Sequence, residues 1–98
     1  MFNFFKKRMI RKKYHFRGRV QHVGFRRTAV NAANSLGLTG WVMNERDGSV
    51  TAEVQGYPGD LLLFIRELQS GRYIVIEDIE AEEIPVIPDE REFRRVLR

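Results

Sequence analysis

Tyr14-His15-Phe16-Arg17-Gly18-Arg19-Val20-Gln21-His22-Val23-Gly24-Phe25-Arg26-Arg27-Thr28-Ala29 is the stretch where the chain changes its hydrophobic period, and that change decides the fold. Tyr14, Phe16 and Val20 fall on one face, with His15, Arg17 and Arg19 on the other. A period of two predicts a half-buried strand, ending near Gln21. From Phe25 the spacing lengthens. Phe25, Ala29, Ala32, Ala33 and Leu36 lie at i, i+4, i+7, i+8 and i+11, which makes one apolar stripe on a helix. Gly37 follows where a helix-terminating glycine takes positive φ at little cost. Gln21, His22, Val23 and Gly24 are left as the loop between strand and helix.

Downstream, residues 39–44 and 49–55 read as two strands joined through Glu45-Arg46-Asp47-Gly48, whose Asp-Gly pair is a hairpin signal. Gly56-Tyr57-Pro58-Gly59 breaks that pattern, and Asp60 is the expected N-cap of a second helix. Leu61, Phe64, Ile65 and Leu68 form its stripe, and Gly71 is expected to end it. Residues 73–79 read as another strand that frays into acidic residues 80–83. Pro85 and Pro88 interrupt the chain before a short closing strand at 92–97. The order is β-α-β-β-α-β with one short extra strand. Right-handed crossovers then put both helices on one face of a mainly antiparallel sheet, an α+β ferredoxin-like sandwich. That fold hosts many functions and identifies none.

Composition narrows the chemistry. Ninety-eight residues make a single domain, which buries only about 60–65% of its unfolded surface, so a shallow site is expected. There is no cysteine, which removes disulfides, thiolate metal sites and thiol nucleophiles and fits a reducing cytoplasm. Two histidines, His15 and His22, are too few for a histidine metal cage. No run approaches the roughly 18 apolar residues of a membrane span, and Lys6, Lys7 and Arg8 break the N-terminal apolar stretch that a signal peptide would need.

The net charge of +4 is uneven, because residues 1–19 hold eight Lys or Arg and no acid, while the remainder is net negative. Residues 1–12 therefore read as a basic, aromatic extension outside a domain at 13–98. A flexible tail is the expectation for such a terminus. Phe2, Phe5 and Met9 at helical spacing also suit contact with a membrane surface or a nucleic-acid backbone. The domain itself makes a poor polyanion binder, so no nucleic-acid partner is expected for it.

Chemistry is expected where the first strand passes into the first helix. A helix N-terminus carries unpaired N–H groups and partial positive charge, a ready anion site. Arg26 in its first turn adds a fork that matches phosphate oxygens. On these residues alone the segment is either a phosphate or carboxylate site or a turn with a solvated arginine.

Gly18-Arg19-Val20-Gln21-His22-Val23-Gly24-Phe25-Arg26 resembles the acylphosphatase signature Gly-x-Val-Gln-Gly-Val-x-Phe-Arg. A second block resembles that family's other signature, with Gly40-Trp41-Val42-Met43-Asn44, Gly48-Ser49-Val50 and Gly56 in order and at its spacing. The resemblance covers about residues 13–98 and implies hydrolysis of acyl phosphates to a carboxylate and inorganic phosphate. It implies that Arg26 binds the phosphoryl group and that Asn44 positions the attacking water. The backbone amides of Gln21, His22, Val23, Gly24 and Phe25 would cradle phosphate oxygens. No metal, cofactor or covalent intermediate is implied, and a cytoplasmic monomer is expected. The chain departs from the signature at His22, where the family has glycine. A loop needing positive φ there costs a non-glycine residue about 1–2 kcal/mol, although histidine is among the residues enriched in that region.

Two rivals share the fold. One is an RNA-binding module, disfavoured because the Lys/Arg-Gly-Phe/Tyr-Gly/Ala-Phe-Val-x-Phe/Tyr strand is missing. The other is a non-catalytic phosphate-binding relative that has lost turnover through His22.

Overall fold

Phe16 and Phe25 sit on either side of the change in period, and their rings meet at 5.0 Å between centroids, with Tyr14 stacked on Phe16 at 5.6 Å. All three are buried, so the strand's apolar face and the helix's apolar stripe close on each other directly. The computed structural model describes residues 8–97. Its elements are β1 (Ile10–Arg19), α1 (Phe25–Leu36), β2 (Thr39–Asn44), β3 (Val50–Gly56), α2 (Pro58–Gln69), β4 (Val75–Ile84) and β5 (Phe93–Val96).

The five strands form one sheet in the order β4-β1-β3-β2-β5. Every pairing is antiparallel except β2 with β5, which run parallel. Val50, Ala52 and Val54 of β3 and Val42 of β2 join Tyr14 and Phe16 beneath Phe25, Ala29 and Ala33 of α1 and Leu61, Phe64 and Leu68 of α2. This is the expected ferredoxin-like α+β arrangement, with both helices covering one face.

Several boundaries differ from the sequence pattern, each for a physical reason. β1 begins at Ile10, so residues 10–12, assigned on composition to the extension, are strand residues. The run Arg11-Lys12-Lys13 hides the alternation, but Ile10 pairs with Gly56 and Arg11 with both Gln55 and Ile84. The readings of residues 1–7 as tail, membrane contact or nucleic-acid contact lie outside the described residues. Helix α2 starts earlier than Asp60, with Tyr57 at the N-cap and Pro58 in the first turn, where its fixed φ suits a helix start. Asp60 instead favours the positive helix end. The C-cap is Ser70, not Gly71.

The acidic residues after Ile79 do not fray. β4 runs on to Ile84 because it faces the basic strand β1, with Lys13 opposite Glu82, His15 opposite Glu80 and Arg17 opposite Asp78. Arg17 reaches Glu80 at 3.0 Å and Asp78 at 3.4 Å. Opposite charges across a ladder favour pairing. The register shifts between Arg17 and Gly18. Gly18 is required at that irregularity, since at φ 131° a Cβ would lie 2.2 Å from the Val75 carbonyl oxygen.

On the face away from the helices, Arg11 is almost fully buried. Its Nε donates to Glu53 at 2.9 Å, and its Nη1 donates to Glu90 at 2.7 Å and to Gln55 at 3.2 Å. Burial alone would lower the guanidinium pKa, but Glu90 and Glu53 outweigh it and the net shift is upward. Gln55 in turn exchanges two hydrogen bonds with the backbone of Ile87. Together they hold the connection that carries the chain from β4 to β5. Removing one partner of a buried ion pair costs about 3–5 kcal/mol. Arg11→Ala should therefore destabilise the protein by about 3 kcal/mol, the low end of that range, because Glu53 and Glu90 retain some solvent contact. Urea unfolding followed by Trp41 fluorescence measures this; an unchanged midpoint would show that Arg11 contributes nothing to the fold.

Candidate active site

β1 ends at Arg19, and buried Val20 anchors the chain before it reverses into α1. The reversal uses two left-handed residues, His22 at φ 62° and Gly24 at φ 81°. The position where histidine replaces the family's glycine does take positive φ. Gly24 is the N-cap of α1, with no side chain capping that end and no acidic residue in the first turn. Thr28 N–H donates to the Gly24 carbonyl at 3.0 Å, the first bond of the helix. The amides ahead of it have no intrahelical partner. The helix end is electropositive and open.

Gln21 acts through its side chain. Its Nε2 donates to the carbonyls of Glu45 at 2.7 Å and Ser49 at 2.8 Å. These flank the turn between β2 and β3, so the loop and the hairpin are fixed to each other. The turn is braced further by Asp47, whose carboxylate accepts from the Ser49 hydroxyl and amide. Those bonds hold the Asp47 carboxyl below its ordinary range. His15, on the strand face away from the core, is half-buried, with Nε2 2.6 Å from the Ser49 hydroxyl.

Asn44 is the last residue of β2, and its Oδ1 is buried without a hydrogen-bond partner. It lines a cavity of about 110 Å³ together with Arg26, His22, Gly24 and Phe25. Arg26 and Asn44 thus meet at one cavity, as the two signatures imply. Gln21 and Val23 do not line it: Gln21 turns to the hairpin, and Val23 packs against the core. Arg27 and Arg95 also line it and are not among the residues expected from the sequence. Arg27 is readable from its place in the first turn of α1. Nothing local signals Arg95, because the pairing of β5 with β2 brings it there. Among the described residues no group of three His, Asp or Glu could hold a metal ion.

The acylphosphatase family pattern matches residues 12–95 of the chain. The chain belongs to the acylphosphatase family. An acylphosphatase of Clostridium beijerinckii is 40% identical over 86 residues, covering 87% of this chain and 96% of that one. The crystal structure of acylphosphatase from Bacillus subtilis superposes with a TM-score of 0.82 at 30% identity, covering 89% of this chain and 98% of that chain. A full-length HypF, solved in a phosphate- and nucleotide-bound form, matches with a TM-score of 0.81 at 30% identity. That match spans 92% of this chain and 12% of that one. As an acylphosphatase the protein is an enzyme that hydrolyses acyl phosphates.

Within this acylphosphatase the two hydrogen bonds of Gln21 join the loop to the hairpin turn that follows Asn44. Each is worth about 0.5–1.5 kcal/mol net. Gln21→Ala should lower stability by about 1–3 kcal/mol and reduce kcat more than it weakens phosphate binding, since the helix end stays intact. Thermal unfolding and steady-state kinetics test this together; a variant with normal kcat would show that the hairpin tie does not set the site.

Proposed function

We propose that the cavity is the catalytic centre. The phosphoryl group of an acyl phosphate is held there by the Arg26 guanidinium and by backbone amides of His22, Gly24 and Phe25, the loop residues that line it. Water is positioned by Asn44. The observation that carries this reading is the meeting of Arg26, the uncapped start of α1 and the unpartnered Asn44 Oδ1 at one cavity. A buried carbonyl oxygen without a donor costs free energy. A water that donates to it recovers that cost and is held with its lone pair free to attack.

The water oxygen attacks phosphorus as the bond from phosphorus to the acyl oxygen breaks. The electron pair of that bond leaves with the carboxylate, and one water proton passes to a phosphoryl oxygen, giving dihydrogen phosphate. A carboxylate leaves readily, so no general acid is needed. The protein supplies positioning and charge at the equatorial oxygens, as in other phosphoryl transfers. Asn44 orients the water and takes no proton. His22 adopts the left-handed conformation of the loop at a cost of about 1–2 kcal/mol, and the cradle tolerates it. On this reading the enzyme uses neither metal nor cofactor; a monomer suffices, since one chain supplies every residue of the site, and the cysteine-free composition fits the cytoplasm.

Arg26→Ala should lower kcat/KM for acetyl phosphate by about 10²–10³-fold, equivalent to about 2.7–4 kcal/mol of lost charge stabilisation. Asn44→Ala should fall comparably in kcat while still binding inorganic phosphate. Both variants should keep the parent's circular dichroism, and chelator should leave the parent rate unchanged. A near-normal rate in Arg26→Ala, or activity that disappears in chelator and returns with a divalent cation, would overturn the assignment.

A further inference from the structure

Arg95 breaks the pattern of its own strand. In β5 the buried Phe93 lies opposite Gly40, and Arg95, two residues on, lies opposite Val42, a core residue. Alternation places Phe93 and Arg95 on the same face of the sheet, the one that the helices cover. An apolar residue would suit that position, yet the chain places a guanidinium there. Asn44 follows Val42 by two residues on β2 and shares that face, so Arg95 and Asn44 are diagonal neighbours across the parallel pair, within reach of a long side chain.

Arg95 lines the same cavity as Arg26 and Asn44. Among the described residues, neither Arg95 nor Arg26 forms an ion pair and no carboxylate lines the cavity. At about 110 Å³ the space is well below the roughly 300–1,000 Å³ of pockets that enclose whole ligands. Arg27 lines it too, and guanidinium groups that share so small a space must share its occupant. A phosphoryl group in transfer spreads its charge over three equatorial oxygens. One guanidinium fork engages two of them.

We propose that Arg95 is a second phosphoryl-binding residue, which closes on the phosphate from the sheet side while Arg26 and the start of α1 hold it from the helix side. The inference rests on the phosphoryl site described above and adds to it a group supplied by β5. Because Arg95 meets the phosphoryl group in substrate and product alike, it acts on binding more than on turnover. An interaction of equal strength in the ground and transition states is expressed in KM.

Inorganic phosphate is the probe. In the parent protein, the Arg95 Nε–H resonance should move on phosphate titration with the same midpoint as that of Arg26. Arg95→Gln should weaken phosphate binding about tenfold, a charge-assisted bond discounted for the exposure of this side chain. KM for acetyl phosphate and for benzoyl phosphate should rise by the same factor, with a smaller change in kcat. Arg95→Lys should recover part of the loss, since it restores the charge but not the fork. An Arg95 resonance that stays still while that of Arg26 moves would overturn the proposal. So would phosphate affinity unchanged in Arg95→Gln, or a KM effect confined to one of the two acyl groups. Each of these leaves the Arg26 and Asn44 reading standing, whereas phosphate affinity and turnover unchanged in Arg26→Ala would remove both.

Discussion

The chain must turn from β1 into α1 within a few residues, and the rest of the architecture depends on that reversal. It is made by left-handed backbone at His22 and Gly24, at a cost of about 1–2 kcal/mol for the histidine. Neighbouring interactions hold it in place. Val20 and Phe25 are buried on either side of it, and Gln21 is bonded to two carbonyls of the next hairpin. Strain of this kind persists where surrounding structure over-determines it. The turn lays α1 across the sheet, and it also leaves the electropositive end of that helix facing the end of β2.

The two faces of the sheet solve different problems. Beneath the helices the core is apolar and dry, with Phe16, Phe25, Phe64 and Phe93 filling it in tilted contacts. The opposite face is a lattice of charges in which β1 supplies cations to the acids of β3 and β4. There Arg11 pairs with Glu53 and Glu90, and Arg17 pairs with Asp78 and Glu80. The arginines at the cavity are not paired in this way. Among the described residues these arginines form no ion pair, which supports the proposal that an anion is held there. Their value there is electrostatic, because charges close together at a protein surface interact more strongly than in bulk water.

Both helices, and the candidate positions Arg26 and Asn44, are legible in the sequence because each is signalled by residues close together in the chain. Period, turn chemistry and the two signatures are local properties, and local sterics decide them. The positive φ of His22 is legible for the same reason, since glycine at that place in related loops points to a left-handed backbone. Asp60 reads as a cap although Tyr57 takes that place, because Pro58 can start a helix as well as Asp60 can, and both signals stand within three residues of each other. The start of β1 is hidden because Arg11 and Lys12 look like a solvated tail until their partners are known.

The order and type of the elements, membership of the acylphosphatase family and the strand-to-helix junction proposed to hold an anion all follow from residue order alone. How distant segments meet does not, and there the folded arrangement decides. Arg11 becomes a buried clasp because Glu53 and Glu90 converge on it. Gln21 acts through its side chain because the hairpin turn comes within reach. Arg95 arrives at the cavity because β5 pairs in parallel with β2. Each is a pairwise energy between groups far apart along the chain, fixed by strand order and register, and none is written in any one stretch of residues.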